Sequence, residues 1–548
     1  MRKRRTSGGV TLNAVAGTHV VTLGLDLSEA RRAGCLGFAI RREDHTEGER
    51  VWLRGLKTFA ATDPELGPGQ SVSTRAHPIQ AFQWADYAAK PDHEYTYEAR
   101  PVSGDPRELV LEDGVSVRVR TESELGATHS VFFNRGAIAS QEYARRFMNF
   151  APDQLTDPRE RAAAYKWLSR GLLEALLAFI ARASGPEFAL RGAVYEFRRA
   201  EVLQAFKAAS ERGADVQIVY DGIDDVQLPN EQAIAANGIA ALCSPRTRGS
   251  IMHNKFVALL RDGEPEAVWT GSTNISENGL FGQLNAGHQV EDATVARAFR
   301  DYWDQLRLNP APKDLKTWVA ANSPRPPVPA AAGTTTVMSP RRGLELLDDH
   351  ASVAGSARRA LFMTFAFGMN QRFRDVYLRQ DDVLRVALME KEGNGPALAE
   401  GKIFIDKLRR QRNVLVAVGK NKNATALDNW KRERTDGIGT NVDWVHTKFM
   451  LVDPLAPDPT VITGSANFSE ASTDTNDENM LVIRGDTRVA DIYLGEFMRC
   501  FSHHAFREAL TFGNPPLNHL HIKPAAWQKH HYDPTRDAFL RRRYFASP

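Results

Sequence analysis

The chain has 548 residues with 70 basic and 67 acidic side chains, a formal charge of +3, so it lacks the overall cationic footprint of a dedicated nucleic-acid binder. A hydrophobic fraction of 42% beside 25% charged residues is ordinary globular composition and excludes a disordered or fibrous chain. Cys35, Cys243 and Cys500 are scattered and odd in number, which excludes a disulfide scaffold and points to a reducing compartment.

This length implies several domains. The basic start, Met1 to Arg5, is like the n-region of a signal peptide, but no unbroken apolar run follows it. Nowhere does the sequence approach the ~20 apolar residues of a membrane span. A cytoplasmic protein with no transmembrane segment and no obligate protein partner is expected. Residues 10 to about 125 read as short strands, including Val20 to Leu25, Gly37 to Ile40, Gln80 to Asp86, Glu94 to Tyr97 and Val115 to Val119. Their spacing predicts a small antiparallel β-sandwich over 1–128, either a targeting or substrate-binding module or a packing appendage.

An α/β unit is expected over 129–320. Trp167, Leu168, Leu172, Leu176, Phe179 and Ile180 give a helical pattern between Asp157 and Ala183. A strand (Phe188 to Phe197), a helix (about 199–211) and a strand ending at Asp221 follow. Pro, Ala and Thr dominate 321–340, which reads as a linker. A second α/β unit is expected over 341–515, with strands Ala360 to Phe367 and Val383 to Leu388, and 516–548 reads as a basic surface tail. Within the second unit, Lys402 to Arg434 carries ten basic residues against three acids, with Trp430 among them. This stretch is either a polyanion-binding border or a solvated helix face.

The chemistry lies in a duplication. His253 and Lys255 recur as His446 and Lys448, 193 residues on, and Gly271, Ser272 and Asn274 recur as Gly464, Ser465 and Asn467 at the same offset. A third His-x-Lys, His521 to Lys523, has no Gly-Ser-x-Asn after it and shows what chance alone produces. Residues i and i+2 of a strand share a face, so each His and Lys should project side by side from a buried strand. The Ser, Asn and turn N–H groups can donate to phosphate oxygens, and two lysines supply positive charge where a phosphorane builds negative charge. Two histidines allow one to attack phosphorus while the other protonates the leaving oxygen and then activates water. That inventory needs neither a metal nor another cofactor.

The doubled pattern resembles the phospholipase D superfamily, whose signature is His-x-Lys-x4-Asp followed by Gly-Ser-x-Asn. The second half matches fully, with Asp453 at the acid position, whereas the first has Leu260 there. The resemblance, over roughly 130–515, implies two similar α/β halves with mixed sheets flanked by helices, sharing one active site at their interface. It implies a covalent phosphohistidine, with His253 as nucleophile and His446 as acid and then base. It also implies a supporting acid near Glu478, and Glu478 and Asp453 are the candidates beside His446. The 193 offset carries Glu478 onto Asn285, which is not an acid, so Glu291 or Asp292 is the candidate support for His253. The expected substrate is a phosphodiester. A phospholipid head group is the first reading, and the alternative is a metal-independent nuclease acting on DNA or RNA.

Overall fold

A computed structural model describes residues 1–66, 70–136, 141–393, 397–419, 444–511 and 519–547. Lys420, Lys422, Trp430, Lys431, Arg432 and Arg434 of the basic stretch lie outside the described residues.

The first part of the chain forms two antiparallel sheets over a common core. One holds Arg2–Ser7, Val10–Ala16, Val21–Leu27 and Gln83–Asp86, and the other centres on Gly37–Asp44 and Glu94–Asp105. Their alternation shows why: Tyr95, Tyr97 and Ala99 are buried while Glu94, Thr96 and Glu98 between them are not fully so. The expected surface tail is instead part of this body. Pro524–Tyr532 and Asp537–Ala546 are helices, with Trp527 stacked on Phe82 in the sandwich core and Arg542 paired to Asp26 at 2.6 Å. Tyr544 and Phe545, within the expected tail, are 4% and 1% exposed. Their aromatic area is too large to leave in water when a sheet lies within reach.

Two seven-stranded mixed sheets follow, and their strand orders are identical. The first runs His129–Phe133, Ala286–Val290, Glu264–Gly271, Lys255–Arg261, Phe188–Val194, Asp215–Asp221 and Cys243–Arg246. The second runs Gly333–Ser339, Glu478–Arg484, Thr460–Gly464, Phe449–Val452, Ala360–Phe365, Leu384–Met389 and Val414–Val418. The central strands are apolar runs covered on both faces; Lys255–Arg261 is buried at every position but the last. The expected linker is therefore only partly a linker, because Gly333–Ser339 pairs antiparallel with Glu478–Arg484 as the edge of the second sheet. Its run of Thr and Val favours that pleated edge. The helical pattern between Asp157 and Ala183 resolves into Pro158–Ser169 and Leu172–Ala181, broken where Arg170 and Gly171 take φ values of 48° and 90°. One hydrophobic cluster runs through both halves, joining Phe256, Phe299 and Trp303 to Phe449, Tyr493 and Phe497.

Candidate active site

The two halves meet along a backbone seam that keeps the 193-residue symmetry. Met252 bridges to Asp477 and Val445 bridges to Leu284, and both pairs are related by that offset. The His253 N–H donates to the Asp477 carbonyl at 3.0 Å, and the Leu284 N–H donates to the Trp444 carbonyl at 2.8 Å. Each histidine thus follows directly on a residue stitched to the opposite half.

This seam corrects one sequence expectation. The strands begin at Lys255 and Phe449, so His253 and His446 precede the strands rather than sharing a strand face with their lysines. Each lysine instead folds back on its histidine's backbone: Lys255 Nζ donates to the His253 carbonyl at 2.6 Å, and Lys448 Nζ to the His446 carbonyl at 2.5 Å. Buried carboxylates hold the approaching loops. Asp221 accepts the Met252 N–H at 3.1 Å, and Glu390 accepts the Val445 N–H at 2.6 Å.

The imidazoles converge, with ring centroids 6.4 Å apart and planes inclined by 71°. Their supports are exchanged across the seam. His253, from the first half, presents Nδ1 to Glu478 of the second at 2.9 Å. His446, from the second half, presents Nδ1 to Asn285 Oδ1 of the first at 2.8 Å. A carboxylate accepts only, so Nδ1 of His253 carries the proton and Nε2 is left for chemistry. Asn285 is oriented by its own amide, whose Nδ2 donates to the Gly279 carbonyl at 2.8 Å, leaving Oδ1 to accept from His446.

Glu478 was expected beside His446 and stands beside His253. Asp453 was also expected near His446, but its carboxylate accepts the N–H groups of Arg358, Arg359 and Ala360, each at 2.8 Å. It follows the last residue of the strand that His446 precedes, and a strand separates its ends by ~3.3 Å per residue, out of side-chain reach. Glu291 and Asp292 do not support His253. Glu291 pairs with Arg182 at 2.6 Å, and Asp292 caps the helix Ala293–Arg307. Sequence reasoning missed Asn285 as a support because an acid was sought there, although the offset pointed straight at it. It also missed Tyr195, whose ring lies 5.1 Å from the His253 ring and 5.0 Å from Lys255 Nζ.

The Gly-Ser-x-Asn turns brace this arrangement. A Cβ on Gly271 would fall 2.2 Å from the Ala286 carbonyl oxygen, and one on Gly464 would fall 2.3 Å from that of Asn479, so only glycine fits where turn and strand touch. The serines were expected to meet phosphate, yet both hydroxyls already donate within the protein. Ser272 Oγ donates to Asn285 Oδ1 at 2.9 Å and Ser465 Oγ to the Asn479 carbonyl at 3.3 Å. Asn274 and Asn467 differ: each leaves a buried amide oxygen without a hydrogen-bond partner among the described residues, the same atom in both motifs. An unpartnered buried amide oxygen invites a hydrogen-bond donor, such as a substrate hydroxyl.

Burial dominates the electrostatics. It pushes His253 down to about 4, with Glu478 opposing, and holds His446 well below its ordinary value with help from Lys448 and Lys255. Burial also lowers Lys255 to about 7 and Lys448 well below the ordinary lysine range. For Glu478 burial acts upward, but the neighbouring His253 and Lys255 outweigh it and keep the carboxylate ionised. Glu478, Glu196, Asp221 and Glu390 act to raise the two lysines, yet burial outweighs them, and a bound anion would favour the cationic forms.

The family model described as cardiolipin synthase, PLD-like domain, matches residues 176–307 and 402–501, covering the core of both halves. The two halves are phospholipase D-like domains. No curated protein matches the sequence. Among solved structures, phosphatidylserine synthase of Haemophilus influenzae Rd KW20 is 12% identical, covering 61% of this chain and 85% of its own, with a TM-score of 0.42. Nuc of Salmonella typhimurium, a phospholipase D family member, is 19% identical over 31% of this chain and 94% of its own, with a TM-score of 0.23. Polyphosphate kinase of Porphyromonas gingivalis is 12% identical over 58% of this chain, with a TM-score of 0.35, and the chain spans 46% of that protein's length. These likenesses concern fold alone. Among the described residues no helix of the phospholipase D-like halves or the sandwich is long and apolar enough to cross a membrane, and no cluster of three or more His, Cys, Asp or Glu side chains could hold a metal ion.

Proposed function

We propose that the chain is a phosphodiesterase of the phospholipase D type that works through a covalent phosphohistidine. The observation carrying this reading is the pair of histidines from separate motifs, 6.4 Å apart, each with Nδ1 held by a residue of the opposite half. That separation supports the reading, because in-line displacement requires an imidazole on each side of a phosphorus atom. His253 Nε2 attacks phosphorus; the P–N bond forms as the P–O bond to the leaving group breaks, and His446 gives that oxygen its proton. His446 then takes a proton from water, whose oxygen attacks phosphorus and expels His253. Contact with Glu478 favours His253 as the attacker, because a carboxylate at Nδ1 makes Nε2 the more basic nitrogen. His446, backed by a neutral amide and lowered by two lysines, is the stronger acid once protonated, which suits it to the leaving group. Lys255, Lys448, Asn274 and Asn467 would hold the non-bridging oxygens, with Ser272 and Ser465 fixing the turns beneath them.

The proposed substrate is a phospholipid head-group diester, a reading supported by the lipid synthase named in the matching family model's description. A second reading, a nuclease, is favoured by the ten basic residues against three acids between Lys402 and Arg434. Incubating the protein in EDTA with labelled phospholipid, single-stranded DNA, duplex DNA and RNA separates the two. Release of the head group in EDTA is expected. Cleavage of nucleic acid alone would establish the second reading, and activity that requires added Mg²⁺ or Zn²⁺ would overturn the metal-independent mechanism.

A further inference from the structure

A cavity of about 810 Å³ lies between the N-terminal sandwich, the helix Thr487–Thr511 and the second seven-stranded sheet. Its volume falls within the roughly 300–1,000 Å³ of small-molecule sites. Phe362, Val386 and Leu415 form its floor; register makes them neighbours on three adjacent strands. Trp84 of the sandwich and Met498 and Phe501 of the helix form its walls. Tyr87 and Phe506 are 43% and 36% exposed, so the cavity opens to solvent beside them.

This site is separate from the histidines. Leu384, another lining residue, is the first residue of Leu384–Met389 and pairs with Ala360, the first of Ala360–Phe365. The histidine cluster stands at the other ends of these strands, since Met450 pairs with Met363 and Val452 with Leu361. Strands of this length set the two places ~15–20 Å apart.

Three arginines line the cavity with Gln83, Asp86, Tyr87 and Ser502, and the rest of its lining is largely apolar. Arg42 is held by Asp86 and Glu49, and Arg541 by Asp537. Arg54 reaches only Ser71 and has no carboxylate partner among the described residues. A largely apolar chamber that an alkyl chain can fill, edged by three guanidinium groups of which Arg54 has no carboxylate partner among the described residues, fits one chemistry.

We infer that this cavity binds an amphiphile with a single alkyl chain and an anionic head group, a carboxylate or a phosphate monoester. The inference does not depend on the proposed phosphodiesterase reaction. Its test is calorimetric titration of the full chain, below micellar concentrations, with hexadecanoate, hexadecyl phosphate, hexadecanol and hexadecyltrimethylammonium. Both anions are expected to bind one per chain, at least tenfold more tightly than the alcohol or the cation. Hexadecanoate without the phosphate would assign a fatty acid, and the reverse a phosphorylated lipid. Ala85→Trp, which fills the cavity from the sandwich, should abolish binding, and Ser502→Phe fills it from the helix should the first variant fold poorly. Arg54→Gln combined with Arg541→Gln should weaken the anions about tenfold and leave the alcohol unchanged, while His253→Ala should bind as the parent does. Equal affinity for anion, alcohol and cation would overturn the inference. So would undiminished binding in a folded cavity-filling variant, or loss of binding in His253→Ala.

Discussion

The two halves of the site carry the same motif residues but different supports, and the difference runs crosswise. In the first half His253 leans on a carboxylate that belongs to the second; in the second half His446 leans on an amide that belongs to the first. Neither half contains a complete histidine-and-support pair, so neither is a working unit alone. Duplication preserved the elements that position groups, namely strand order, seam and glycine turns. The element that tunes proton affinity differs, in keeping with the division of tasks proposed for the two histidines.

The largest effect should come from removing either histidine. His253→Ala and His446→Ala are each expected to lower kcat by about 10³-fold or more, in line with the loss of a nucleophile or a general acid–base. A substrate with a good leaving group such as p-nitrophenol should partly rescue His446→Ala and leave His253→Ala inactive. Equal rescue of both would erase the proposed division of roles.

The supports should give smaller and opposite effects. Glu478→Gln removes the group that opposes the fall of the His253 pKa, so the His253 limb of the pH–rate profile should move to lower pH, with kcat down about 10²-fold. Asn285→Asp places a carboxylate at His446 Nδ1, so that limb should move to higher pH. Imidazole titration by NMR reads both shifts directly. Movement in the same direction in the two variants would break the crosswise assignment.

Asp453 sharpens the comparison from outside the site. The first half has Leu260 at that position, so the acid is not a requirement of the chemistry. Asp453→Ala should cost about 1–2 kcal/mol in urea denaturation, from three backbone N–H groups losing their acceptor, with kcat unchanged. A tenfold fall in kcat at unchanged stability would return Asp453 to the site.

The smallest effect concerns Asp221, whose carboxyl burial raises to about 7 from an ordinary 3.8. The folded chain holds that proton more tightly than the unfolded chain. The stability this contributes is complete below the ordinary value and is lost as pH rises through about 7. Asp221→Asn should therefore flatten the decline in melting temperature between about pH 4 and 7. An unchanged slope would show that Asp221 is ionised in the fold.

Much of this was legible in the sequence because it rests on local pattern. The 193-residue offset located both halves, and the apolar runs after Lys255 and Lys448 located the central strands. The alternation at Glu94 to Tyr97 revealed the sandwich. What sequence reasoning missed is set by contacts between distant parts of the chain. Glu478 and His253 are 225 residues apart, and no local rule says which histidine a carboxylate will reach. The helices around Trp527 and Phe545 looked like a tail because their amphipathic pattern is weak, and the partners for their aromatics come from the distant sandwich and second seven-stranded sheet. Gly333–Ser339 read as linker because an edge strand has one neighbour and a short pattern.

The most direct test of the account is the site of the covalent adduct. Single turnovers with a phosphodiester labelled on the retained phosphoryl group would be quenched in alkali, digested, and mapped for phosphohistidine. The account expects one alkali-stable adduct, on the peptide containing His253, accumulating in His446→Ala and absent from His253→Ala. An adduct on the His446 peptide would reverse the two roles. No adduct in the wild type or either variant would contradict covalent catalysis by the paired histidines.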